Sequence, residues 1–276
     1  MPPKFSAALV LLAAAAAAAQ AVPPESLFSL TFKAEFRDAE SCQDTGNGGK
    51  PVCHTAHTAY PVTGDRYLDA WVKREMGGRL PTRQSAQAAF DADRRVKAAR
   101  RANRTLGAGG KPCVLRYTDR LSLDGYTPRY AVFEKDQHQS FCGGSYRFRH
   151  FFIVLPRGVP DPKPLTQADI VLPGRMAALV ARQKEAYIGF LQKYRNMGEE
   201  EARRYAGRYN PRSPKDLGSW YFSNNYLVFR IRQDEAGSSP SLDSPRLFIH
   251  TRELQGIIRP EILEEAARLT WPDLRY

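Results

Sequence analysis

Residues 219–254 constrain the fold of this chain more than any other stretch. In Trp220-Tyr221-Phe222 and in Tyr226-Leu227-Val228-Phe229-Arg230-Ile231-Arg232, aromatic and β-branched residues dominate, the composition of a half-buried pleat. Asn224-Asn225 separates the two runs, and Asn tolerates the left-handed backbone of a tight turn. A Gly/Ser/Pro-rich loop at 237–241 leads to Arg246-Leu247-Phe248-Ile249-His250 and then Thr251-Arg252-Glu253-Leu254. The expectation is a hairpin, a loop and a third strand that leaves the sheet for a helical turn capped by Thr251. Such a stretch specifies an architecture and names no reaction.

The start of the chain reads as a targeting segment. Lys4 supplies a short positive region, residues 7–19 are a run of Ala, Val and Leu, and Ala19-Gln20-Ala21 fits a small-x-small cleavage site. The run falls short of the about 20 strongly apolar residues a membrane span needs. No Cys follows the cleavage site to take a lipid, and no later segment approaches a stable span. The expectation is a signal peptide at 1–21 and a periplasmic or secreted protein from residue 22. Two α+β modules, 22–106 and 107–276, are expected to pack as one composite unit with a sizeable core.

Four cysteines in an exported chain imply two disulfides. Three pairings are possible, and the nearest-neighbour one is favoured. Cys42 and Cys53 flank a Gly-rich loop with little else to hold it, which leaves Cys113 with Cys142, each near the end of an expected strand. The 41 Lys and Arg against 29 Asp and Glu give a net charge of +12, lowered by one when Lys4 leaves with the signal. A basic exported protein is drawn to anionic envelope polymers, although ordinary solubility charge explains the number as well. No nucleic-acid motif accompanies the charge, so nucleic acid is not an expected partner.

Phe28, Leu30, Phe32, Ala34 and Phe36 alternate, which predicts a strand over 28–36; a second is expected at 55–62. Asp65 can cap a helix carrying Leu68, Trp71 and Val72, interrupted by Gly77-Gly78. A helical piece over 82–105 places Arg94, Lys97, Arg101 and Arg104 on one face. That stripe suits phosphate or an acidic glycan, and suits a solvated helix face better. Strands follow at 113–123, 130–136 and 146–155, with Asp124-Gly125 as the first hairpin turn and 137–144 as the second connection. Met176, Val180, Gln183, Tyr187, Phe190 and Tyr194 repeat at helical spacing within 173–197 and read as core. A short charged helix at 199–209 follows. The last helix opens at Pro260, with Glu261, Glu264 and Glu265 near its positive end. The fold class is therefore α+β, mostly antiparallel sheets packed against a few helices, with two disulfides.

Candidate chemistry is sparse. In Cys53-His54-Thr55-Ala56-His57 the two His point to opposite faces of a strand and Cys53 is assigned to a disulfide, so no metal and no cofactor are expected. Glu134 and Asp136 share a strand face and suit acid–base work if a cleft surrounds them; a solvent face explains them as well. There is no G-x-S-x-G elbow, H-E-x-x-H or phosphate-cradling Gly loop, and no catalytic residue is assigned. Tyr146, Arg147, Arg149, Trp220 and Tyr226 combine rings and guanidinium groups that, on one sheet face, would stack on sugars or anchor a protein. Core packing is the commoner fate of strand aromatics.

Phe152-Ile153-Val154-Leu155, then Leu165-Thr166-Gln167-Ala168-Asp169-Ile170 before a long helix, form one recognisable pattern. Asn225-Tyr226-Leu227-Val228-Phe229 and Ile249-His250-Thr251-Arg252-Glu253-Leu254 complete it. Together they resemble the extracytoplasmic domain of the lysozyme-sensing anti-sigma factors, also found beside peptidoglycan deacetylases. Tyr60-Pro61 and the helix with Leu68 and Trp71 are similar to its N-terminal companion module. The resemblance covers 55–268 and implies an α+β fold and a binding or sensing role, with no catalytic residues to carry over. Two departures count against direct signalling and lysozyme binding. No transmembrane anchor or cytoplasmic segment is found, and the chain is basic, as lysozyme is, so a local acidic patch would be needed.

The function expected is a non-catalytic envelope protein that binds a cell-wall glycan or an envelope protein. The competing class is a cell-wall hydrolase or deacetylase that uses strand carboxylates. A cleft with two carboxylates would favour the enzyme, and an exposed aromatic–arginine surface without one would favour the binder.

Overall fold

The computed structural model describes residues 33–44, 51–105, 110–211, 217–231 and 245–272, and for 145–149 the backbone alone. The signal segment at 1–21 and the loop at 237–241 lie outside these residues.

Strands β1 (Lys33–Gln43), β2 (Val52–Val62), β3 (Leu115–Tyr126), β4 (Tyr130–Phe141) and β5 (Gly144–Pro156) form one sheet in sequence order. All neighbours are antiparallel except β2 and β3. Helices α1 (Arg66–Glu75), α2 (Arg83–Ala92) and α3 (Arg94–Arg104) separate those two. They carry the chain back across the sheet, as a parallel pair requires. This sheet runs across position 106, so strands of both expected modules share one hydrogen-bond ladder.

Asp65 caps α1 as expected, its carboxylate accepting from the Tyr67 and Leu68 amides. The helical piece at 82–105 is two helices. Asp93 adopts extended backbone between them and caps α3 by accepting from the Arg95 amide. The strand expected at 28–36 is described from Lys33 and continues to Gln43, where Cys42 lies directly opposite Cys53.

Asp124-Gly125 is not the hairpin turn. Both residues stay in β3, where the register shifts between Leu123 and Gly125, a bulge that lets the strand continue. The turn comes at 127–129, where Pro128 has no N–H for a ladder and the Thr127 hydroxyl accepts from the Tyr130 amide at 3.0 Å. The polar run expected to connect at 137–144 is mostly strand, paired on both sides, because ladder bonds come from the backbone whatever the side chains are. The reversal is confined to Cys142 and Gly143, both at positive φ. Both disulfides, Cys42–Cys53 and Cys113–Cys142, join nearest neighbours.

The second sheet is antiparallel, β6 (Trp220–Ser223), β7 (Tyr226–Arg230) and β8 (Arg246–His250). Asn224 and Asn225 take the left-handed turn conformation, at φ 33° and 66°. Thr251 is not the cap of the following 3-10 turn (Thr251–Leu254). His250 is, its Nδ1 accepting from the Arg252 amide at 3.1 Å.

Helices α4 (Gln167–Ile170), α5 (Met176–Arg195), α6 (Glu199–Arg208) and α7 (Pro260–Ala266) complete the α+β fold. The large sheet is a middle layer. Leu121, Leu123, Phe133, Ile153 and Leu155 pack with Leu68, Trp71 and Val72 of α1, while Val132, Phe152 and Val154 pack with the small sheet and α5–α7. Gln183 interrupts the apolar stripe of α5 for a reason. Its buried amide accepts from the Tyr209 hydroxyl at 2.6 Å and donates to Gln167 at 2.7 Å, and Gln167 donates to the Gly218 carbonyl. Among the described residues no helix is long and apolar enough to cross a membrane.

Candidate functional site

Strand alternation and register put Arg120, Ser122 and Asp124 of β3, Glu134 and Asp136 of β4, and His150 and Phe152 of β5 on one face of the large sheet. The β5 end of that face is roofed by the small sheet. There Phe152 stacks on Tyr221 with ring centroids 3.8 Å apart, and the Arg230 and Arg246 guanidinium groups lie 6.0 and 5.8 Å from the Phe152 ring. Arg230 also donates to the His150 carbonyl at 2.7 Å. Toward β1 a cavity of ≈ 330 Å³ opens, lined by Phe36, Tyr60, Arg120, Asp124, Glu134 and Trp271, with others. Trp271 reaches it because the chain after α7 crosses back to pair Thr270 with Tyr126. Phe36 is 54% and Trp271 46% exposed, so two rings stand at the mouth instead of filling the core.

Two carboxylates line this cavity in opposed environments. Burial, reinforced by the nearby Glu134 charge, pushes the Asp124 carboxyl up to about 6. The His150 imidazole, hydrogen-bonded to Glu134, is the main influence holding the Glu134 carboxyl below its ordinary range; Arg120, 3.4 Å from Glu134, adds to it. The partner of Glu134 in the cavity is therefore Asp124, whereas Asp136, the expected partner, lines no part of it and lies 3.9 Å from Arg120. In sequence Asp124 is masked by Gly125, because Asp-Gly signals a turn. The polar alternation Arg120, Ser122, Asp124 was the signal that could have found it.

The expected binding residues separate. Trp220 is 2% exposed, donates its indole N–H to the Leu165 carbonyl at 2.9 Å and packs edge-on against Phe222. It is a core residue, and its ring is not open to a ligand. Tyr226 is 38% exposed and meets Phe248 and His250 edge-on at 6.4 and 5.1 Å, a small aromatic patch on the second sheet. Tyr146, Arg147 and Arg149 belong to β5 by backbone, and their side chains lie outside the described residues.

His54 and His57 do diverge. His54 is buried and its Nδ1 accepts from the Leu115 amide at 3.2 Å, with burial holding its pKa down. His57 is exposed beside Asp38, 2.9 Å away. Among the described residues one cluster, Glu40 with Cys42 and Cys53, has ligand atoms close enough for a metal, but both sulfurs are tied up in the disulfide.

No family model and no curated protein matches this sequence. Its fold is similar to that of two solved structures. One is a DUF3298 family protein from Pseudomonas aeruginosa PAO1, 18% identical with a TM-score of 0.53, over 85% of this chain and 96% of that one. The other is a member of the same family from Bacteroides fragilis NCTC 9343, 13% identical with a TM-score of 0.50, over 86% of this chain and 99% of that one.

Proposed function

We propose that this protein binds a cell-wall glycan in the cleft between the open half of the large sheet and the returning C-terminal segment. The observation that carries this reading is the lining: exposed Phe36 and Trp271 rings at the mouth with Arg120, Asp124 and Glu134 behind them. Sugars are held by ring faces against aromatic side chains and by hydroxyl bonds to carboxylates and guanidinium groups, and a cavity of ≈ 330 Å³ is at the small end of the ligand-site range. The two disulfides support an oxidising compartment, the periplasm or beyond.

The test is a pull-down of the purified protein with isolated peptidoglycan sacculi, followed by muropeptide analysis. Retention with unchanged muropeptides, lost in a Phe36→Ala, Trp271→Ala double variant, is the expected result. Failure to be retained would sink the glycan reading and leave an envelope protein, the kind of partner that the resemblance to lysozyme-sensing domains suggests, as the ligand to pursue.

A second reading, a glycan hydrolase, is favoured by one observation: burial raises the proton affinity of Asp124 while the hydrogen bond from His150 lowers that of Glu134 beside it, the arrangement that assigns an acid and a base. Asp124 would donate the proton to the leaving oxygen and ionised Glu134 would act as base or nucleophile. New muropeptides that vanish with Glu134→Gln while retention persists would establish it.

A further inference from the structure

We propose that the outer face of α3 is a docking surface for a linear, phosphate-bearing glycan or polyol polymer. Six of its eleven residues are Arg or Lys and none is acidic. Arg95 and Arg100 are satisfied within the protein: Arg95 pairs with Asp93 and donates to Gln139, and Arg100 bonds the Ser41 hydroxyl and lies 3.6 Å from Asp91. Arg94, Lys97, Arg101 and Arg104 are all exposed, and none has an ion pair among the described residues.

Three further observations separate this face from an ordinary solvated helix. Helices α5 and α6 carry their own counter-charges, Arg182 with Glu185 and Arg203 with Glu199, whereas α3 sets like charges at the i,i+3 and i,i+4 positions that oppose helix formation. An anion along this face relieves that repulsion. The helix is also held firmly. Val96 and Ala99 are fully buried, and the Asn103 amide bonds both backbone groups of Cys113, at 2.9 and 2.7 Å, next to the Cys113–Cys142 disulfide. The four exposed cations therefore stand in a row about 15 Å long on a rigid support. Finally, the face lacks the large apolar residues that would enter a bilayer and the rings on which bases would stack. Three of the four cations are guanidinium forks, whose planar donors match phosphate oxygens, and Lys97 adds a point charge between them, so a phosphate polymer without bases is the occupant that fits.

The test uses linear polyphosphate as the probe, with single-stranded DNA, polygalacturonate and anionic vesicles as rivals. Binding of polyphosphate is expected to weaken with salt, with a contribution from these four cations of about 3 to the log–log slope. Replacing all four (Arg94→Gln, Lys97→Gln, Arg101→Gln, Arg104→Gln) should remove that slope and weaken binding at least about tenfold; Gln keeps helix propensity. An equal charge loss elsewhere (Lys193→Gln, Arg195→Gln, Arg204→Gln, Arg208→Gln) should change affinity less than about twofold. Equal loss in both variants would overturn the proposal in favour of diffuse net charge. Tighter binding of any rival would overturn the named occupant. If the fourfold variant does not fold, Lys97→Glu alone serves, and unchanged binding in it overturns the proposal.

Discussion

Glu265, near the end of α7 and 1% exposed, accepts the hydroxyl of Thr127, 138 residues earlier in the chain. The same carboxylate oxygen accepts the Arg129 amide at 2.9 Å, and Arg129 and Arg268 each approach Glu265 to 3.8 Å. The β3–β4 turn is thus tied to the element that follows the small sheet. Glu265→Ala leaves those donors without their acceptor and is expected to cost about 3 kcal/mol, read as a lower urea midpoint. Glu265→Gln keeps one acceptor and should cost roughly half as much.

Asp124→Asn should stabilise the fold and change its pH dependence. The folded state holds the Asp124 proton up to about 6, whereas the unfolded chain releases it near 4. Its contribution is therefore fully present below about pH 4 and is lost as pH rises to about 6. Glu134, held low by His150, acts in the opposite sense, so the comparison must be variant against parent. The expected gain is about 1 kcal/mol at pH 7 after solvent screening, measured by chemical denaturation across pH 4–7. A stability gain from removing a cleft carboxylate is the usual mark of a residue kept for function.

Gln183→Leu breaks the chain of bonds from Tyr209 through Gln183 to Gln167. The shape is retained, but the Tyr209 hydroxyl and the Gln167 amide oxygen each lose their hydrogen bond to Gln183, at about 1–3 kcal/mol each. A fall in Tm of roughly 5–10 °C is expected; an unchanged melting curve would show that these groups find other partners.

Trp271→Ala should leave the melting curve unchanged, because the ring is half exposed at the cavity mouth. Its expected effect is on ligand affinity alone, weakening retention on sacculi by about tenfold, as for a loss of an aromatic contact.

Opening the Cys42–Cys53 bond with Cys42→Ala and Cys53→Ala should cost about 2–3 kcal/mol, since the bridge closes the β1–β2 hairpin at directly opposed positions. Calorimetry of the double variant against the parent checks this.

Local signals carried a long way. The Asn224-Asn225 turn and the Asp65 cap were legible because each depends on neighbours within a few residues. So were the disulfide pairs, because short loops close most readily. The α5 stripe was legible in part: Gln183 and Tyr187 are buried together with Leu179 and Leu191, whereas Tyr194, in the last turn, is 63% exposed. The cleft was only half legible. Glu134 stood out as a strand carboxylate, but Asp124 read as a turn residue and Trp271 fell after the last helix, where no periodicity marks it.

By itself the sequence determined the α+β class and most of the strand and helix segments, since those follow from backbone sterics and the periods of 2 and 3.6; it misplaced the β3–β4 turn and the strand over 137–141. It also determined that four cations of α3 share one side. Only the tertiary structure decided what each face meets. β3 ran on through Asp124-Gly125 with a register shift there instead of turning, the three-helix return made β2 and β3 parallel, and the folding-over of the small sheet placed Trp220 inside and left Tyr226 half outside. Those outcomes depend on contacts between residues far apart in the chain, whose register local propensity does not encode.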